Sequence, residues 1–189
     1  MSTITYLRSF FKDKNVASIT PSSGFLVKRV CRNMDLSESV TIVEYGPGTG
    51  VFSDYLVDKL PKGSKMILIE LNPDFVNVLK KKENDVLRVY EGSASDVDKI
   101  LKKEGLSECD YIISGIPFSF IPVEVKENIL RQSVKAIRPG GKFLAYQTST
   151  HLKDALERHF GNVTTKYEWL NIPPLCTYAS VKNDAVAAD

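Results

Sequence analysis

From residue 40 onward, short apolar runs alternate with segments whose apolar positions recur at helical spacing. Val40–Tyr45 (VTIVEY) is β-rich and ends in a glycine cluster. Val51–Leu60 carries a helical pattern and is closed by Pro61 and Gly63. Lys65–Leu71 (KMILIEL) is a second strand. Pro73 then stands where a first helical turn tolerates proline, with Asn72 before it as an N-cap, and Phe75, Val76, Val78 and Leu79 supply an apolar face. Val86–Tyr90 predicts a third strand, Val97–Lys103 a short helix, and Asp110–Ser114 a fourth strand. Val123–Ile137 predicts a long helix stopped by Arg138-Pro139-Gly140-Gly141, and Lys142–Thr148 a fifth strand. A helix over Leu152–His159 and two late β segments, Val163–Leu170 and Thr177–Lys182, complete the series. Strands alternating with helices imply βαβ units and a parallel sheet covered on both faces. The last two strands, flanking Asn171–Pro174, suit an antiparallel pair at one edge.

Composition changes this picture little. The chain has 189 residues, 43% hydrophobic and 25% charged, which is ordinary for one folded domain and excludes wholesale disorder. Cys31, Cys109 and Cys176 are too far apart for a zinc knuckle or a dense disulfide framework. His151 and His159 lack partners at ligand spacing, so no metal is expected. No apolar run approaches the length of a membrane span, and the N-terminus lacks the apolar core of a secretion signal. Charge adds more. Arg8, Lys12, Lys14, Lys28, Arg29 and Arg32 face Asp13 alone in the first 32 residues, within a net charge of only +2. The organisation expected is a basic, amphipathic helical leader over residues 1–32, a catalytic domain over 33–182, and a disordered tail over 183–189.

The strongest local signal is Glu44-Tyr45-Gly46-Pro47-Gly48-Thr49-Gly50, between a predicted strand and a predicted helix. Glycines there permit positive φ and close approach of a ligand, and the following helix N-terminus favours anionic groups. The dinucleotide pattern G-x-G-x-x-G fails at its third glycine, and the phosphate-loop G-K-[ST] is missing. The segment resembles the E-x-G-x-G-x-G loop of class I S-adenosylmethionine-dependent methyltransferases. Glu70, ending the second strand, stands where an acid accepts the ribose hydroxyls. The resemblance implies an α/β, Rossmann-like fold: a mostly parallel seven-stranded sheet with an antiparallel edge pair and helices on both faces. It also implies S-adenosyl-L-methionine as cofactor, held by Glu44, Gly46, Gly48, Gly50, Glu70 and Leu71. Gly92-Ser93-Ala94 stands where the family has a Gly-Asp-Ala turn that contacts adenine, with Ser93 in place of the Asp, Ala94 retained, and Asp96 as an alternative partner or a helix cap. Ser114 and, through the methionine end, Ser22 or Ser23 complete the cofactor set that the resemblance implies.

The acceptor side is read from Ser114-Gly115-Ile116-Pro117-Phe118. It resembles the Asn/Asp-Pro-Pro-aromatic motif of enzymes that methylate nucleobase amines, with Gly115 at the amide position. Gly115, Ile116, Pro117 and Phe118 are therefore the expected catalytic segment, with a backbone carbonyl at Gly115 or Ile116 orienting an aliphatic amine. Together with Ile19-Thr20-Pro21-Ser22-Ser23-Gly24-Phe25-Leu26 and Trp169-Leu170-Asn171-Ile172-Pro173-Pro174, this order is similar to bacterial phospholipid N-methyltransferases, relatives of the ribosomal RNA adenine dimethylases. The resemblance implies methylation of phosphatidylethanolamine-type head groups by a protein bound peripherally to the cytoplasmic face of the membrane, with a monomer favoured. Tyr6, Arg8, Lys12 and Asn171 are the expected substrate contacts, and Tyr6, Tyr45, Tyr146 and Tyr178 the candidate phenolic acceptors. Trp169 suits either the acceptor pocket or the core.

The leader fits this reading. Ile4, Leu7 and Phe11 share a helical face, with Tyr6 and Phe10 beside them and cations close by, the pattern of an interfacial helix. Alternatively its aromatic face packs on the domain. An anionic membrane is thus the favoured partner. The alternatives are a ribosomal RNA adenine (di)methyltransferase, opposed by Gly115 and the near-neutral charge, a small-molecule methyltransferase, and a degenerate fold serving only for binding.

Overall fold

A computed structural model describes residues 24–169 and 174–183. Seven strands form one sheet in the order β3-β2-β1-β4-β5-β7-β6. They are β1 (Thr41–Tyr45), β2 (Lys65–Glu70), β3 (Leu87–Glu91), β4 (Cys109–Ser114), β5 (Ile137–Gln147), β6 (Thr164–Glu168) and β7 (Leu175–Val181). The first five run parallel, and β7 lies antiparallel between β5 and β6. Among the described residues the α-helices are α1 (Gly24–Cys31), α2 (Val51–Val57), α3 (Pro73–Lys80), α4 (Val97–Lys103), α5 (Val123–Ala136) and α6 (Leu152–Phe160).

Strand alternation divides the core into two layers. Ile42, Met66, Leu68 and Ile113 point to the side covered by α1, α2 and α3, where Leu26, Val30, Phe52, Leu56, Val76 and Leu79 meet them. Val43, Tyr45, Ile67, Ile69 and Ile112 point to the other side, against Val97, Leu101, Leu130, Leu156 and Phe160 of α4, α5 and α6. Each fully buried aliphatic or aromatic side chain here contributes roughly 1.5–3 kcal/mol. Helix α1 is part of this body. Leu26, Val27, Val30 and Cys31 are buried in it, so the last turns of the basic N-terminal region fold with the sheet.

Two local expectations are corrected. Arg138–Gly141 does not end the helical layer in a free turn. It lies within β5, which follows α5 directly, and the pairing with β4 jumps from Cys109–Ile137 to Tyr111–Lys142 across a bulge. Gly140 N–H donates to the Lys182 carbonyl and Lys182 N–H to the Gly141 carbonyl, so β7's end holds the bulge in the ladder. The late strands are also displaced: β6 ends at Glu168, and β7 begins at Leu175.

Because β1 is flanked by β2 on one side and β4 on the other, the chain reverses its winding there. The crevice outside the carboxyl ends of β1 and β4 is where open α/β sheets take their ligands.

Candidate active site

Three strand ends supply the crevice, each stitched to its neighbour: Gly46 N–H donates to the Ile69 carbonyl, Gly92 N–H to Glu70, and Gly115 N–H to Tyr45. The loop after β1 turns through Gly46, Gly48 and Gly50, with φ of 63°, 59° and 89°. Lys82 ties this loop to α2: its ammonium donates to the Thr49 carbonyl at 3.0 Å and to both Asp54 carboxylate oxygens at 2.8 Å.

Glu70 joins the loop to the end of β2. Its Oε2 accepts from Gly48 N–H at 3.1 Å, and its Oε1 from Leu71 and Asn72 N–H at 2.8 Å each. Asn72 caps α3 through Asp74 N–H, with Pro73 in the first turn, as the sequence predicts. Burial pushes the Glu70 carboxyl upward, against the three N–H donors, which pull it down. Glu44 is buried on the same side of the sheet, and its Oε2 has no hydrogen-bond partner among the described residues. Burial, then the nearby Glu70 and Asp54 charges, push its carboxyl to about 8, opposed by Lys82. Two such acids beside a bare glycine loop fit a ligand bearing hydroxyls and positive charge, which is the chemistry of S-adenosylmethionine: a ribose diol, an ammonium and a sulfonium.

The remaining predicted cofactor positions are distributed around this edge. Ser93 follows β3 and caps a short 3-10 turn, accepting from Ser95 N–H at 3.2 Å, while Ala94 is buried beneath it. Asp96 is taken up by Lys99 at 2.7 Å. Leu71 is half-buried against the core. Ser114 is buried, and its Oγ accepts from Ile116 N–H at 3.3 Å. Ser22, Tyr6, Arg8, Lys12 and Asn171 lie outside the described residues.

Two contacts define the segment after β4. Phe118, placed by the sequence in the catalytic segment, is 3% exposed and belongs to the core with Ile121 and Ile129, because the chain enters a 3-10 turn at that point. The Ile116 carbonyl, one of two expected amine acceptors, takes a hydrogen bond at 2.6 Å from Gln147 Nε2, whose Oε1 in turn accepts from Phe118 N–H at 3.1 Å. Gln147, which the sequence did not single out, thus clamps the loop. Beside it on β5, Tyr146 stacks on Phe52 of α2 with centroids 5.1 Å apart. A Cβ at Gly115 would stand only 2.5 Å from the Tyr146 hydroxyl oxygen. Tyr45 and Tyr178 are turned away: Tyr45 pairs with Ser133 on the opposite face, and Tyr178 donates to the Ser149 carbonyl. Trp169 is not core. It is 74% exposed and stacks on Tyr167.

Comparison with known proteins bears directly on this arrangement. The family model described as ribosomal RNA adenine dimethylase matches residues 21–153. The chain belongs to that family. It is 29% identical over 177 residues to an ornithine lipid N-methyltransferase of Singulisphaera acidiphila, covering 92% of both chains. It is 32% identical over 94 residues to ribosomal RNA small subunit methyltransferase A of Hydrogenobaculum sp., covering 50% of this chain and 32% of that one. Among solved structures, 1,6-didemethyltoxoflavin-N1-methyltransferase of Burkholderia thailandensis, with bound S-adenosylhomocysteine, superposes with a TM-score of 0.69 at 14% identity, covering 96% of this chain and 87% of that one. An O-methyltransferase from Bacillus cereus superposes with 0.68 at 15% identity, covering 96% and 91%. The fold is the Rossmann-like class I methyltransferase fold, and the chain is an S-adenosylmethionine-dependent methyltransferase. Among the described residues no helix is long and apolar enough to cross a membrane.

Proposed function

We propose that this methyltransferase acts on the primary amine of an aminolipid head group, of the phosphatidylethanolamine or ornithine-lipid kind, while bound peripherally at the cytoplasmic face of a membrane. The observation that carries the reading is the match to the ornithine lipid enzyme over 92% of both chains, against 32% of the length of the ribosomal RNA enzyme. The site agrees with it. Gly115 has no side chain to accept from a nucleobase amine, and Phe118 offers no open ring to stack on a base. When bound, the cofactor supplies an electrophilic methyl: a nitrogen–carbon bond forms as the carbon–sulfur bond breaks, its electron pair going to sulfur and the surplus N–H proton to solvent. The protein's part is to position a neutral amine, and positioning can supply most of the rate.

The molecular surface supports a lipid partner. β6 runs in the same direction as β5, since both flank antiparallel β7, so its end lies at the crevice edge. Trp169 follows that end, and Phe120, 55% exposed, follows β4. Arg29 of α1 pairs with Glu168 at 3.1 Å, and Phe25, one helical turn earlier, is 71% exposed. Exposed aromatic residues gathered at a site's rim suit a membrane interface. The leader, with Tyr6, Arg8 and Lys12, would extend this surface and meet the lipid phosphate, and Asn171 would line the acceptor side.

A second reading, adenine methylation in ribosomal RNA, is favoured by the family model itself. Purified protein given labelled cofactor with ornithine lipid, phosphatidylethanolamine or ribosomal RNA decides between them. Label is expected in lipid, resolved by thin-layer chromatography. Label in RNA alone would replace the lipid reading.

A further inference from the structure

Lys80, Lys81 and Lys82 follow one another at the end of α3, and cations there ordinarily face solvent and favour the helix C-terminus. Lys80 and Lys81 are exposed in that way, whereas Lys82 is half-buried. Its backbone N–H donates to the Leu79 carbonyl at 2.8 Å, and its side chain reaches the loop after β1. There the ammonium donates to the Thr49 carbonyl at 3.0 Å and to both carboxylate oxygens of Asp54, in the first turn of α2, at 2.8 Å. These acceptors match the N–H donors that an ammonium carries. A Cβ built on Gly50 would lie 3.2 Å from Lys82 Nζ and 2.9 Å from Leu79 Cδ2, so the end of α3 packs directly on the loop.

The loop has need of such a tie. Glycine loses more conformational freedom on ordering than any other residue, so a loop built on Gly46, Gly48 and Gly50 binds a ligand at an entropic cost unless it is held beforehand. Glu70 holds it at Gly48 N–H, at 3.1 Å, and Lys82 holds it at the next residue's carbonyl. Nothing lies within 4 Å of where a Gly48 side chain would begin, so the loop stays open there. Charge is balanced as well. A bare ammonium would repel a ligand that carries a sulfonium and an ammonium, but Asp54 takes up the charge of Lys82, and the pair gives the loop a hydrogen bond at no net charge. Lys82 also opposes the upward push that burial, Glu70 and Asp54 exert on the Glu44 carboxyl. We propose that Lys82 is a positioning residue for the cofactor: by holding the Thr49 carbonyl it keeps the glycine loop in its binding shape before S-adenosylmethionine arrives. The inference rests on the cofactor and not on the acceptor, so it stands or falls apart from the aminolipid reading.

Titration calorimetry with S-adenosylhomocysteine tests it without any acceptor. Lys82→Met keeps an unbranched stem and removes the ammonium. Lys82→Arg returns a cation with N–H donors. Lys102→Met, which breaks the exposed ion pair with Asp98 on α4, controls for the loss of a surface cation. Lys82→Met is expected to bind about fivefold more weakly or worse, the effect of one charge-assisted hydrogen bond discounted for partial exposure. Lys82→Arg should recover to within twofold of wild type, and Lys102→Met should match it. Melting temperatures of the ligand-free variants should stay at the wild-type value, because an exposed ion pair adds little to stability. Lys82→Met affinity within twofold of wild type overturns the proposal. So does a Lys82→Arg protein as weak as Lys82→Met, since the cation would then not be what holds the loop. An equal loss in Lys102→Met overturns it too, because that marks a general effect of net charge.

Discussion

At Gly48 the backbone is left-handed, with φ of 59°, and nothing lies within 4 Å of where a side chain would begin. Gly48→Val would hold a β-branched residue in that conformation at a cost of about 1–3 kcal/mol, with its methyls in the space above the loop. S-adenosylhomocysteine affinity should fall at least tenfold while the far-ultraviolet circular dichroism spectrum stays native. Retained affinity by titration calorimetry would remove this loop from the cofactor's contacts. Glu44 gives the pH dependence. Its folded carboxyl sits near 8 instead of the ordinary 4.5, chiefly through burial. Below 4.5 the group is protonated in both states and costs nothing. As pH rises toward 8, the unfolded chain ionises it and the folded chain resists, so stability drains away across that window. Glu44→Gln should remove the drain. Its unfolding free energy, from chemical denaturation, is expected to exceed wild type by a margin that grows from pH 5 to pH 8, on the order of a few kcal/mol at the upper end. A constant margin would mean that Glu44 does not titrate in that window.

At the level of elements, the loop after β4 depends on one side chain of β5. Gln147→Leu would leave the Ile116 carbonyl and Phe118 N–H without that partner, and chemical denaturation should show a loss of about 1–3 kcal/mol. A variant as stable as wild type would show that solvent replaces the clamp. The strands and helices were largely legible, because each alternates or repeats with one period: β1, β2, the Asn72 cap and α4 fall where the pattern puts them. The glycine loop with Glu70 was legible too, since local chain geometry dictates those residue types. What escaped depends on partners distant in sequence. Pro139-Gly140-Gly141 reads as a turn, yet Lys182, some forty residues on, keeps it in the ladder. Phe118 stands in the expected catalytic segment, but only the packing of α5 shows that its ring is buried. The approach of Tyr146 to Gly115 follows from the β4–β5 register, and no local signal encodes a register between strands separated by a long helix.

Across the whole molecule, lipid and RNA readings predict different forces. Both partners are anionic, so attraction to basic residues separates nothing. Apolar insertion does. Trp169 and Phe120 stand exposed at the crevice edge. Fully buried in an apolar phase, each would contribute roughly 1.5–3 kcal/mol. Insertion at an interface is partial, so replacing both by Ala should lower affinity for anionic liposomes by about tenfold. Cofactor affinity should hold, because the glycine loop and Glu70 are unaltered in this variant. The Phe10 and Phe11 side chains of the leader give a matching pair for the same assay. On the RNA reading, wild-type binding to liposomes should be negligible, and binding to RNA should weaken steeply with salt as phosphate contacts are screened and counterions return. The measurement is liposome co-sedimentation across a salt series, beside a calorimetric titration with S-adenosylhomocysteine on the same preparation. Wild-type protein that stays in the supernatant with anionic liposomes, at low salt and with S-adenosylhomocysteine present, would end the membrane assignment.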